Sequence, residues 1–150
     1  MDERPNSLMT HDFKKFPELR NNQFDFYYFE SPHKQITENF IAKVVDVHDG
    51  DTLRVEVDFR NFTFPIRLSY IAAPELGEDG GRESRDWLAE QVLGEEVQIV
   101  INPFNRVGKW GRLIGNIIHQ GMNINYMSRD LGFSTQFGNE FKLWGNSFNI

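Results

Sequence analysis

The chain has 150 residues, with 16 basic against 22 acidic side chains for a net charge of −6, 39% hydrophobic and 14% aromatic residues, and no cysteine. This supports one compact domain with an arm, is too apolar for a disordered chain, and contains no run of the ~20 apolar residues that a membrane helix needs. Without cysteine there is no disulfide framework, thiolate metal site or cysteine nucleophile, and the acidic balance excludes a broad basic coat for nucleic acid while leaving room for a small phosphate site.

Residues 1–15 are polar and aperiodic, and read as a flexible start. Charged side chains including Asp2, Glu3, Arg4, Asp12, Lys14 and Lys15 leave no apolar core for a signal peptide, which implies a cytoplasmic or intracellular protein. In residues 16–30, Pro17 suits the first turn of a helix and is followed by Leu19, Phe24, Phe26, Tyr27, Tyr28 and Phe29, until Ser31-Pro32 breaks the run. These aromatics are expected either to pack on the chain's own domain or to form a docking surface for a protein partner.

From Phe40 the period changes. Ile41 to Val47 is rich in β-branched residues, Asp49-Gly50-Asp51 makes a turn, and Leu53, Val55 and Val57 alternate with charged residues, the pattern of a hairpin with one buried face. A third strand is predicted over 63–71. After the loop opened by Pro74 and Gly77–Gly81, Trp87, Leu88, Gln91 and Val92 fall at helical spacing up to Gly94. Val97, Ile99 and Ile101 form strand four, Arg112 to His119 strand five, and Ile124 to Leu131 a second helix ended by Gly132. The order implies a mainly β, α+β fold: a five-stranded Greek-key barrel of the OB type with two packed helices. The predicted organisation is an aromatic-rich N-terminal arm over 1–38, the barrel domain over 39–137, and a short aromatic tail over 138–150.

Three motifs carry chemistry: Asp49-Gly50-Asp51-Thr52 at the first hairpin, Arg67 through Ala73-Pro74-Glu75, and Lys109-Trp110-Gly111-Arg112 entering strand five. Each lies at a strand end, where barrel loops converge. Asp51 and Glu75 offer hard oxygen ligands for Ca²⁺ or Mg²⁺, and the arginines offer planar forks for phosphate oxygens. That combination suits phosphodiester hydrolysis, in which guanidinium groups and a cation offset the charge of the phosphorane and a carboxylate positions water. Singly, each motif has a plainer explanation. An Asp-Gly pair first makes a turn, and an arginine on a strand is usually a surface residue. The histidines at 11, 33, 48 and 119 show no zinc spacing, and only His48 adjoins the acidic turn.

In this order the residues resemble the staphylococcal nuclease-like (thermonuclease) domain family over roughly 40–137. The match runs from Ala42-Lys43-Val44-Val45-Asp46-Val47-His48-Asp49-Gly50-Asp51-Thr52 through Ile66-Arg67-Leu68, Ala73-Pro74-Glu75, Gly81-Arg82-Glu83 and Trp110-Gly111-Arg112-Leu113, with Asn125 and Leu131-Gly132 extending it. The resemblance implies an OB-type barrel, a Ca²⁺ ion, and cleavage of DNA, RNA or both by an endonuclease of low sequence specificity. It makes Asp51 a direct metal ligand, and Arg67 and Arg112 the phosphate-binding catalytic arginines. Glu75 becomes the acid acting on the attacking water, Thr52 a neighbour of the metal, and Ala73 a backbone carbonyl ligand; Asp49 and Lys109 are further candidates at the site.

One position departs from the pattern. Ile71-Ala72-Ala73 puts Ala72 where the family carries a second metal-ligating carboxylate, which weakens a Ca²⁺ site and opens the way to Mg²⁺ or Mn²⁺. Two readings follow. The first is a metal-dependent nuclease; the alternative is a nuclease-like domain, inactivated naturally or by an introduced change, that binds nucleic acid or a protein partner without cleaving.

Overall fold

In the computed structural model, which describes residues 11–108 and 111–138, strand β1 (Phe40–Asp49) is long enough to serve two neighbours. Residues 40–43 pair antiparallel with β5 (Glu96–Val100), and residues 43–49 pair antiparallel with β2 (Thr52–Glu56). Two register shifts, at Val44/Asp46 and Val47/Asp49, coil β1 between these partners, as bulges do in tightly curved sheets. β2 continues antiparallel to β3 (Phe64–Leu68), β5 to β6 (Leu113–His119), and the parallel pairing of β3 with β6 closes the barrel. Closure gives the five main strands partners on both sides. The two-residue strand β7 (Met122–Asn123) extends β6 at one end.

The interior follows from the alternation in the sequence. Val44, Leu53, Val55, Ile66, Ile99 and Ile117 point inward and are buried. Helix α2 (Gly81–Val92) lies against β1, burying Leu88 and Val92. Helix α3 (Ile124–Asp130) starts at Asn123, whose side chain accepts the Tyr126 N–H in an N-cap, and buries Ile124. The described helices include none long and apolar enough to cross a membrane.

The predicted third strand does not run unbroken to Ile71. β3 ends at Leu68, Tyr70 takes φ +59°, and Ile71–Ala72 forms a separate strand, β4, paired antiparallel with β8 (Thr135–Gln136). Long-range hydrogen bonds impose the break. Ser69 N–H donates to the Gly115 carbonyl, the buried Asn125 amide donates to the Ser69 carbonyl at 3.1 Å, and Phe137 N–H donates to the Tyr70 carbonyl at 2.7 Å. Apolar alternation continues across a left-handed residue without marking it.

The arm region contains no helix starting at Pro17. A single α turn, α1 (Phe24–Tyr27), lies between 3-10 turns at Asn21–Gln23 and Tyr28–Glu30. The Pro17 carbonyl is instead taken by His33 Nε2 (2.8 Å) and the Gln35 amide (2.9 Å), which fold residues 31–35 back onto it. Leu19 and Tyr27 are buried, Phe24 is partly covered, and Phe29 is 97% exposed. Residues 139–150, which hold most of the predicted aromatic tail, lie outside the described residues.

Candidate active site

The β1–β2 turn fixes Asp51. Asp49 Oδ1 accepts the Asp51 N–H at 3.1 Å, the side-chain-to-backbone bond that makes aspartate a turn former. Gly50 packs so closely that a Cβ there would lie 1.9 Å from Ser84 Oγ of α2 and 2.7 Å from Ala73 Cβ. The Asp51 carbonyl accepts Leu68 N–H at 2.8 Å, which joins the turn to the end of β3. Its carboxylate is almost covered, at 9% residue exposure. Oδ1 accepts the Thr52 hydroxyl at 3.1 Å; Oδ2 accepts Ala73 N–H at 2.9 Å and lies 3.4 Å from Arg67 Nη2. Burial pushes the Asp51 carboxyl above the usual carboxylate range; the Ala73 N–H and the Arg67 charge pull it down, and Asp49 adds to the upward push.

Arg67 on β3 stands opposite Thr52 on β2 in the ladder. Its Nη1 donates to the Leu68 carbonyl at 2.8 Å, which orients the fork. Arg112, just ahead of β6, reaches the same threonine, with Nη1 3.4 Å from Thr52 Oγ1. Burial lowers the Arg67 guanidinium from its usual value; Asp51 opposes this and Arg112 reinforces it. Both arginines face a cleft of about 300 Å³ with Tyr70, Asn105 and Phe137 on its walls. Asn105 Nδ2 donates to the Tyr70 hydroxyl at 3.0 Å across it. The result is a partly apolar slot lined by two guanidinium groups, with the Asp51 carboxylate against Arg67, a local excess of positive charge in an acidic protein.

Asp51, Thr52, Arg67 and Arg112 therefore converge, and Asp49 touches the group through the turn. Ala73 joins it through its N–H. Ala72 lies in β4, its carbonyl accepting the Thr135 hydroxyl at 3.4 Å. Glu75 is exposed in the following loop, where its N–H donates to the Glu78 carboxylate at 2.8 Å. Among the described residues, the Glu75 side chain makes no ion pair with Arg67 or Arg112. His48 is exposed on β1, and Arg106 is buried under the arm instead of facing the cleft. Lys109 lies outside the described residues. The sequence gives no warning of Tyr70, Asn105 or Phe137 as cleft residues. The left-handed turn at Tyr70 and the β4–β8 pairing bring them together, and neither has a local signature.

Among the described residues no three His, Asp or Glu side chains gather into a metal-binding group. Asp51, with Asp49 beside it, supplies the carboxylate oxygens, and position 72 presents only a methyl group. Ca²⁺ takes about 6–8 oxygen ligands. The side chains present do not fit the full calcium site that the resemblance implies.

A closed five-stranded barrel with this strand order, with α2 packed on β1 and α3 on β6, is an OB-type α+β fold consistent with the staphylococcal nuclease-like class. No family model matches the chain. Over 85 residues it is 40% identical to an uncharacterized endonuclease of Escherichia coli O157:H7, covering 56% of this chain and 52% of that one. Over 71 residues it is 37% identical to a micrococcal nuclease of Shigella flexneri, covering 47% and 40% of the two chains. A 28% match over 98 residues to an uncharacterized protein of Bacillus anthracis covers 61% and 45%. The matched part spans about half the length of these relatives. In its fold and over the matched stretch, the chain is similar to staphylococcal nuclease-like domains.

Proposed function

We propose that this chain is a nuclease that hydrolyses phosphodiester bonds of DNA or RNA with low sequence specificity. The observation that carries the reading is that Arg67, held beside Asp51, and Arg112, held beside Thr52, line one cleft. The two forks suit the non-bridging oxygens of one phosphate, whose charge rises as water attacks phosphorus. The water oxygen forms the new P–O bond and the ester P–O bond breaks. The proton of the water passes to Glu75, and the leaving oxygen takes one from solvent. Glu75, two residues beyond the Ala73 contact to Asp51, is the carboxylate we assign to this role. The apolar walls at Tyr70 and Phe137 suit the base or sugar beside the phosphate.

Because the donors do not fit a full Ca²⁺ site, none of these steps is routed through a metal. An ion that keeps much of its water and uses one or two carboxylates, as Mg²⁺ and Mn²⁺ do, suits Asp51 and Asp49 better than an ion needing a protein cage. Ala72 also supports the second reading, a domain that binds nucleic acid without cutting it. Digestion of labelled single-stranded DNA and RNA with Ca²⁺, Mg²⁺, Mn²⁺ or EDTA separates the two. Cleavage by the unaltered chain that disappears in Glu75→Gln establishes the nuclease. Cleavage only after Ala72→Asp establishes the binding domain.

A further inference from the structure

Arg112 stands at the end of the connection between β5 and β6, and that connection is held from outside by the arm. Asn21 Nδ2 donates to the Pro103 carbonyl at 3.1 Å. Arg106 turns into the arm, donating to the Ile36 carbonyl at 2.7 Å, the Leu19 carbonyl at 2.8 Å and Glu18 Oε2 at 3.2 Å, with its guanidinium 5.1 Å above the Phe24 ring. At Gly111, the residue before Arg112, a Cβ would lie 2.7 Å from the Phe16 ring. From inside, the Arg106 carbonyl accepts Ile114 N–H and the Arg112 carbonyl accepts Gly108 N–H, both at 2.8 Å. The connection is thus clamped between barrel and arm.

Glu18 is the pivot of that clamp. Its carboxylate is 2% exposed and also pairs with Arg60, which lies in the connection from β2 to β3. One buried acid therefore ties together the connection that leads into β3, which carries Arg67, and the connection to β6 that ends at Arg112. A buried ion cluster adds little net stability over an apolar equivalent, but loss of its acid leaves two guanidinium groups buried together. The best-attested use of such a cluster is to fix one arrangement among several.

We propose that Glu18, with Phe16, is a positioning residue for Arg112: the arm holds the β5–β6 connection in the register that puts the Arg112 guanidinium beside Thr52. This rests on the reading above for the part that concerns phosphate, and on the contacts alone for the part that concerns the clamp.

Two measurements on the full chain test it. Amide hydrogen exchange at Gly108 and Ile114 is expected to speed up about tenfold or more in Glu18→Gln and in Phe16→Ala, while Val44, bonded to Glu95 within the barrel, is unchanged. Unchanged exchange at Gly108 and Ile114 in both variants overturns the clamp; Phe16→Ala gives the answer if Glu18→Gln does not fold. Affinity for a 5′-phosphorylated single-stranded oligonucleotide, measured in EDTA, is then compared across Glu18→Gln, Arg112→Ala and the double variant. Glu18→Gln is expected to weaken binding about fivefold when Arg112 is present and less than about twofold when it is absent. Equal losses in both backgrounds mean that Glu18 does not act through Arg112 and overturn the proposal. If Arg112→Ala itself binds as tightly as the unaltered chain, the phosphate reading fails and the positioning role falls with it, while exchange still decides whether the arm clamps the connection.

Discussion

Asp51 shows how much one side chain is asked to do: it closes a turn, accepts the Ala73 N–H, and faces Arg67 at 3.4 Å while nearly covered. Arg67 and Arg112 are instead turned toward the cleft, so their removal is expected to affect chemistry more than folding. Arg67→Ala and Arg112→Ala should each lower the cleavage rate by about 10²–10³-fold, the range seen when one donor to a developing oxyanion is lost; Arg112→Ala should keep a Tm close to that of the unaltered chain, whereas Arg67→Ala should lower it by leaving the nearly covered Asp51 carboxylate without its cation. Ala72→Asp should raise Ca²⁺ affinity about tenfold or more by restoring a second carboxylate, as read by calorimetric titration. The four converging residues were legible in the sequence through the order of three motifs at strand ends and the family resemblance that this order carries, since each motif alone has a plainer explanation. Tyr70 and Phe137 were not, because a residue at φ +59° and a two-residue strand pair place them.

Turns and the arm carry the element-scale behaviour. Gly50 lies where the β1–β2 turn meets α2, and no side chain fits there. Gly50→Ala is therefore expected to cost about 1–3 kcal/mol by overpacking, seen as a lower Tm, and to slow cleavage by moving Asp51. In the arm, burial lowers the His33 imidazole below its ordinary 6.5; Arg60 adds to this, and the Pro17 carbonyl and Glu18 resist it. The unfolded chain thus takes up this proton at a higher pH than the folded one. His33 costs nothing above about pH 6.5, and stability falls as pH drops from there toward the depressed folded value. Tm measured between about pH 7.5 and 5.5 should fall more steeply for the unaltered chain than for His33→Gln. The barrel strands were readable from period 2 and the helices from their apolar spacing. The arm was not, since its path is set by Gln35 and His33 folding back on Pro17, contacts 16 and 18 residues apart.

At the scale of the whole molecule, a net charge of −6 surrounds a cleft lined by two guanidinium groups. On the nuclease reading, nucleic acid would then be attracted locally and repelled broadly. For two phosphate contacts to a single strand, the plot of log affinity against log salt should have a slope of only about −1.4, far shallower than for a basic coat protein. Fluorescence anisotropy with a labelled oligonucleotide at several salt concentrations measures it. Closure of the barrel by β3 and β6 is what sets the two arginines side by side, since each belongs to one of those paired strands or its entry. The most direct measurement is single-turnover cleavage of labelled single-stranded DNA by the unaltered chain, Arg67→Ala, Arg112→Ala and the double variant. The account predicts cleavage by the unaltered chain, a loss in each single variant, and little more in the double, as for residues that act on one phosphate as a unit. Cleavage undiminished in both single variants would contradict it.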